Sequence, residues 1–130
     1  MLTIKVEENA KPILDEMGIE AKKGAVVMAV RDSETLLGVG VMRLHDDFVI
    51  IDDICMKEAD FSLEYGLGKA LLNTADLRGS RHAVTDRKDL ARLLTALKFR
   101  TVDEAGDEVP EYIADFEYYL NLDGYFVANC

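Results

Sequence analysis

Two short stretches carry the residue types that do chemistry. In "EYGLGKALL", Gly66 and Gly68 stand two apart, ahead of Lys69 and a run of helical period. The N–H groups of a helix's first turn have no intrahelical partner, and the dipole there is positive. A glycine turn at such a place can therefore cradle phosphate without a side chain in the way. The pattern is neither a Walker loop nor a full dinucleotide fingerprint. The alternative is purely structural: a turn and a tight helix-to-sheet contact. In "FVIIDDICM", Asp52 and Asp53 are adjacent carboxylates on a strand. Strand neighbours point to opposite faces, so one of the two is expected in a substrate cleft as general base, directly or through water. The other reading makes them solvated strand-end carboxylates.

The remaining reactive types point less sharply. Cys55 lies in an apolar run with no base beside it and reads as a small core residue. His45 and His82 have no ligand spacing to either cysteine, so no metal site is expected. Tyr112, Tyr118, Tyr119 and Tyr125 could supply an acid, although aromatic residues at strand spacing usually pack.

The elements that must position these groups follow from periodicity. A strand is expected over 2–8, then a short helix capped by Asn9 and ended near Gly18. Strands over 24–32, 35–44 and 48–56, joined by "DSE" and "HDD", form an antiparallel meander. The period then changes from 2 to 3.6, and Leu67, Ala70, Leu71, Thr74 and Ala75 place a helix over 66–78, stopped by Gly79. A strand over 81–86 comes next. Leu90, Leu93, Leu94 and Leu97 mark a second helix, capped by Asp86. "FRTVDE" is strand-like, "AGDEVP" a loop, and 116–130 a last strand or bent pair. The strand–helix–strand unit implies a right-handed crossover between parallel neighbours. The expected fold is α/β (α+β), a mixed, mostly antiparallel twisted sheet with helices on both faces.

Length and charge bound the function. A chain of 130 residues supports one core, so a single domain over 1–130 is expected. A net charge of −10 argues against nucleic acid as a partner. No apolar run is long enough for a membrane helix and no secretion signal is recognisable, so a cytoplasmic protein is expected. Cys55 and Cys130 suit a reduced compartment better than a disulfide scaffold. The charge is uneven: Lys69–Arg100 holds eight basic residues against three acidic, and Thr101–Asp123 holds eight acidic and no basic. The acidic segment would favour a cationic acceptor. Exposed sheet edges make a homodimer a reasonable expectation.

Three antiparallel strands, a glycine-bearing helix start, a crossover strand and a leucine-rich helix ending in phenylalanine resemble the GNAT superfamily of N-acetyltransferases. The resemblance runs from about Gly24 to Cys130, with a shortened helical region before it. It implies an acyl-CoA N-acyltransferase-like fold. It also implies that the backbone of "IIDDICM", notably Ile54, Cys55 and Met56, binds the pantetheine arm of acetyl-CoA. The family's pyrophosphate loop, [QR]xxGx[GA], corresponds to Leu63, Glu64, Tyr65, Gly66, Leu67 and Gly68, followed by Lys69. Leu63 stands at the polar position, Leu94 at that of the general-acid tyrosine, Arg87 at that of an asparagine, and Lys98 at that of a glycine.

What the resemblance implies is direct transfer of an acetyl group from acetyl-CoA, as co-substrate, to a primary amine on a small molecule or basic peptide. Asp52 or Asp53 would be the base, and Arg87 would lie at the cofactor. Two other readings stand beside it. One is a catalytically impaired GNAT-like module that binds CoA or regulates, and the other is an acidic α/β interaction domain in which the glycines are structural.

Overall fold

The computed structural model describes residues 1–126; the expected continuation of the last strand through residues 127–130, and with it Cys130, lies outside the described residues. Among the described residues seven strands form one sheet: β1 (Leu2–Val6), β2 (Ala25–Asp32), β3 (Thr35–Leu44), β4 (Phe48–Met56), β5 (His82–Thr85), β6 (Arg100–Thr101) and β7 (Tyr118–Asn121). Their order is β1-β2-β3-β4-β5-β7-β6, with β4 and β5 the parallel pair and every other neighbour antiparallel. The meander is as the apolar runs and the turns between them predict. The helices are α1 (Lys11–Met17), α2 (Phe61–Leu77), α3 (Ala91–Ala96) and α4 (Val102–Ala105).

The sheet is covered on both faces. On one, α1 packs Ile13 and Leu14 against Val27, Ala29, Val39 and Val41. On the other, Leu67, Leu71, Leu72 and Ala75 of α2, with Leu93 and Leu94 of α3, cover Met28, Val30, Met42, Val49, Ile51 and Ile54. Burial of these side chains, roughly 1.5–3 kcal/mol for each one larger than alanine, fixes where the helices sit. A smaller cluster beside β5 and β7 joins Ile50, Val84 and Tyr119 to Ala105, Val109 and Ile113.

Several boundaries differ from those the sequence predicts. The cap of α1 is Ala10, with no side-chain bond, rather than Asn9; Pro in the first turn and Gly18 at φ 71° define that helix. Asp86 does not cap α3. Its carboxylate accepts from Glu117 N–H at 2.9 Å, while a 3-10 turn at Lys88–Leu90 leads into the helix. "FRTVDE" yields only the two residues of β6, because the capping box of Thr101 and Glu104 starts α4.

The largest difference is at α2, which begins at Phe61, ahead of both glycines. Asp60 is its cap, extended at φ −150°, and accepts from Leu63 N–H at 3.1 Å. Gly66 and Gly68 therefore lie inside the helix rather than at its start.

The end of α3 shows a substitution at work. Phe99 N–H donates to Leu94 O at 2.9 Å and Lys98 N–H to Thr95 O at 3.0 Å, closing the helix with Lys98 left-handed at φ 78°. A side chain there carries about 1–2 kcal/mol of strain that glycine lacks. Lys98→Gly, after the entropy that glycine adds to the unfolded chain, should stabilise by about 0.5–1 kcal/mol. The check is a higher urea midpoint at unchanged slope.

Candidate functional site

The site is built where β4 leaves β5. The two strands pair only from Phe48–His82 to Ile50–Val84, whereas β4 continues to Met56. Side chains complete the next two rungs. Thr85 Oγ1 donates to Ile51 O at 2.8 Å, and Arg87 Nη1 donates to Asp52 O at 2.9 Å. Beyond them the β4 edge opens toward the start of α2.

On its other side β4 carries a bulge. Val41 pairs with Asp53 and Met42 with Ile51, so Asp52 is the extra residue. This overturns the expectation that the two carboxylates face opposite ways. Ile51 and Ile54 both enter the α2-side core, and Asp52 and Asp53 both line one cavity of about 130 Å³ with Val41 and Ile19, Glu20, Ala21 and Lys22. The alternation rule holds for a regular strand, and one inserted residue breaks it.

The two carboxylates differ in what already holds them. Both oxygens of Asp52 are taken by Arg43, at 2.7 Å from Nε and 2.8 Å from Nη2. This fork geometry, led by the hydrogen bond itself and opposed by burial, holds the Arg43 guanidinium above its ordinary pKa. Asp53 is held by one oxygen only, Oδ1, at 2.8 Å from Arg87 Nη1. Among the described residues Oδ2 has no partner, and it belongs to the carboxylate better suited to exchange a proton. Cys55, two residues on, is half-buried. Burial first, then the Asp53 and Glu64 carboxylates, push its thiol up, with Arg87 opposing. It is therefore a poor nucleophile at neutral pH.

The expected phosphate cradle is not assembled as the spacing suggests. Gly66 and Gly68 sit within α2, and Leu67 is wholly buried. Leu63 lines an apolar-walled cavity of about 380 Å³ with Leu36, Leu37 and Met56, along with Glu58 and Asp60. Lys69 does not reach the helix start. Its ammonium lies 4.5 Å from the Tyr125 ring, 5.7 Å from Tyr65 and 5.6 Å from Phe126. At the helix start itself the Asp60 carboxylate and Glu64 stand where an anion would dock. From Asp53 to Met56 β4 has, among the described residues, no partner strand on the β5 side, whereas the start of α2 already carries two carboxylates where a diphosphate would dock.

That mismatch makes a prediction. Asp60→Asn keeps a good cap while removing a negative charge, and a unit charge at contact distance in water is worth about 1 kcal/mol. Affinity for CoA should rise about fivefold by calorimetry, with the melting temperature nearly unchanged.

Among the described residues, four of the eight basic residues from Lys69 to Arg100 are ion-paired, including Arg87 with Asp53 and Asp89. Arg81 pairs with Asp76 and Asp123, Lys88 with Glu117, Arg100 with Glu108, and Arg92 stacks 4.0 Å from the Phe61 ring. Three of the four tyrosines hydrogen-bond elsewhere, and Tyr118 packs against the core. Tyr119 shares a 2.7 Å hydrogen bond with His82 Nδ1 and is pushed up to about 12, chiefly by burial. Tyr125 donates to Leu97 O at 2.9 Å, and Tyr112 donates to Asp47. Leu94, at the position of the general-acid tyrosine, is core. Arg43, Thr85 and Asp89 were not singled out by sequence. The hairpin register would have found Arg43, since the "HDD" turn sets it beside Ile50.

No protein-family model and no curated protein sequence matches the chain. Solved structures do. The ribosomal-protein-S18-alanine N-acetyltransferase from Escherichia coli aligns with TM-score 0.66 at 12% identity, over 92% of this chain and 90% of its own. A Bacillus subtilis acetyltransferase in complex with CoA aligns with TM-score 0.64 at 17% identity, over 93% and 99%. N-acetylglutamate synthase from Neisseria gonorrhoeae, complexed with coenzyme A and N-acetyl-glutamate, aligns with TM-score 0.67 at 14% identity. That match covers 94% of this chain, which spans only 35% of the synthase. Other matches include an acetyltransferase of the GNAT family from Staphylococcus aureus. With its splayed parallel pair and bulged fourth strand, the chain has the fold of the GNAT acetyltransferases.

Proposed function

We propose that this protein transfers an acetyl group from acetyl-CoA to a primary amine. The observation that carries the reading is the opening of β4 away from β5 after Ile50, with the bulge turning Asp53 into a cavity on the far side. A donor amide chain could extend along the β4 edge from Asp53 to Met56, and an acceptor would enter beside Glu20, Lys22 and Asp53. Asp53 Oδ2 takes a proton from the acceptor ammonium. The amine nitrogen then bonds to the thioester carbon and the C–S bond breaks; CoA leaves as a thiolate that takes up the nitrogen's second proton, and Asp53 returns the first to water. The carboxylates and the acidic Thr101–Asp123 segment favour a cationic acceptor, whether a small amine or a basic peptide.

A second reading, a CoA-binding or regulatory module without turnover, is favoured by the Asp60 cap and by Leu94. Calorimetric titration with acetyl-CoA, followed by a thiol-release assay over polyamines, amino acids and basic peptides, separates the readings. Binding with thiol release supports transfer, and binding without release from any acceptor supports the module. No heat at millimolar acetyl-CoA overturns both and leaves an acidic interaction domain.

A further inference from the structure

Arg87 follows β5 and lies where the sheet stops pairing. Its backbone N–H donates to Thr85 Oγ1 at 3.2 Å, continuing the chain of contacts that starts at Ile51 O. Its guanidinium then reaches both walls of the opening. On β4, Nη1 donates to Asp52 O at 2.9 Å and pairs with Asp53 Oδ1 at 2.8 Å. On the α3 side, Nε and Nη2 grip Asp89 at 2.9 and 2.7 Å. The hydrogen bonds to Asp89, then to Asp53, outweigh burial and keep the guanidinium firmly charged, and Asp89 is lowered in return.

A planar fork fits this place and a point charge does not. One nitrogen serves a backbone carbonyl and a carboxylate on β4, while the Nε–Nη2 edge serves a second carboxylate in parallel. With so many donors committed inside the protein, Arg87 is poorly placed to hold a phosphate. It is well placed to fix Asp53: anchoring Oδ1 leaves Oδ2 as the oxygen turned to an acceptor.

We propose that Arg87 is a positioning residue, which completes the β4 edge in place of a β5 backbone rung and holds Asp53 by one oxygen for proton exchange. This rests on the acetyl-transfer reading for its catalytic part, while its structural part stands by itself. It also reassigns Arg87 from the donor's side of the opening, where the family resemblance put it, to the acceptor's carboxylate.

The test uses the intact protein with Arg87→Ala, Arg87→Lys and Asp89→Asn. Two readouts are followed: amide hydrogen exchange of the 51–56 segment, which needs no activity, and kcat against the KM for acetyl-CoA with any acceptor that works. In Arg87→Ala, exchange should rise at least tenfold and kcat fall about 10- to 100-fold, with KM within threefold. Methylguanidine at tens of millimolar should recover part of both losses. Arg87→Lys, lacking the fork, should recover less than half of the exchange protection. Asp89→Asn should fall between wild type and Arg87→Ala; should the alanine variant not fold, it and the lysine variant carry the test.

A rise in KM with kcat unchanged would place Arg87 on the donor and overturn the proposal. So would tighter acetyl-CoA binding in Arg87→Ala, which would mark the guanidinium as an obstruction, or exchange unaltered in every variant. If no amine is acetylated but exchange responds as expected and methylguanidine restores it, the transfer reading fails while the role of Arg87 in the β4 edge stands.

Discussion

Asp53→Asn is expected to lower kcat for acetyl transfer by about 10²- to 10⁴-fold, the usual worth of a positioned proton acceptor, with acetyl-CoA affinity changed less than twofold. Asparagine keeps the shape and can still accept from Arg87 Nη1 through its carbonyl oxygen, but its second polar group is an amide that takes no proton. Asp52→Asn is the matched control, and its effect should be on stability. Asp52 is 17% exposed and Arg43 24%, and their two-bond fork ties β3 to the bulge. Loss of one charged bond strands part of a guanidinium in a partly dry site, at about 1–3 kcal/mol. The two variants should therefore separate cleanly: one folds normally and turns over poorly, the other melts earlier and keeps most of its turnover per folded molecule. Stopped turnover in Asp52→Asn with stability intact would reverse the roles assigned to the two carboxylates. The measurement is initial-rate kinetics beside a urea titration of each variant.

Why the pair was misread from sequence alone is a question of register. The meander was legible because β2, β3 and β4 are apolar runs bounded by polar turns, and β3 and β4 fall on the residues that their patterns mark. A bulge leaves no such trace. "FVIIDDICM" reads as an apolar run around two carboxylates, and only the pairing of Met42 with Ile51 and Val41 with Asp53 shows that the strand has gained a residue. The leucine spacing of 90–97 likewise disclosed a buried face but not the 3-10 turn before α3, because Asp86 was drawn into a long-range bond with Glu117. Long-range partners of this kind lie beyond a local pattern.

The charge pattern was legible in composition and misleading in position. The basic stretch from Lys69 to Arg100 stands apart in the sequence from the acidic segment that follows it. In the fold, part of it pairs with acidic residues from distant parts of the chain, among them Asp53, Glu117 and Asp123. Thus the acidic C-terminal segment and the basic island are in part each other's counterions. This explains why a chain of net charge −10 carries so concentrated a positive run.

The glycine pair supplies the other large effect, and it divides between the two residues. An alanine Cβ at Gly66 would meet only Ile4 Cδ1, at 3.7 Å, an ordinary contact. Inside a helix that exchange should stabilise by about 1 kcal/mol. The same atom at Gly68 would lie 2.7 Å from Leu97 Cδ1 and 3.4 Å from Cδ2, and Leu97 is only 1% exposed, so its methyl groups have nowhere to go. Overpacking of about 1–3 kcal/mol there outweighs the helix gain, and Gly68→Ala should destabilise by about 1–2 kcal/mol. Gly68→Val, which adds two branched methyl groups against α3, should destabilise by about 3–4 kcal/mol. Urea midpoints at constant slope read the opposite signs directly. Binding supplies the second discriminator. Gly66 N–H lies within α2, where the helix ladder uses it, so Gly66→Ala should leave acetyl-CoA affinity within twofold. A tenfold loss with a normally folded protein would mean that the first turns of α2 unwind to meet a diphosphate, and Asp60 would then be a cap that the ligand displaces. Equal destabilisation by both alanine variants would remove the Leu97 contact as the reason for Gly68. On the geometry of α2 and α3, Gly68 is needed for close helix packing and Gly66 is not.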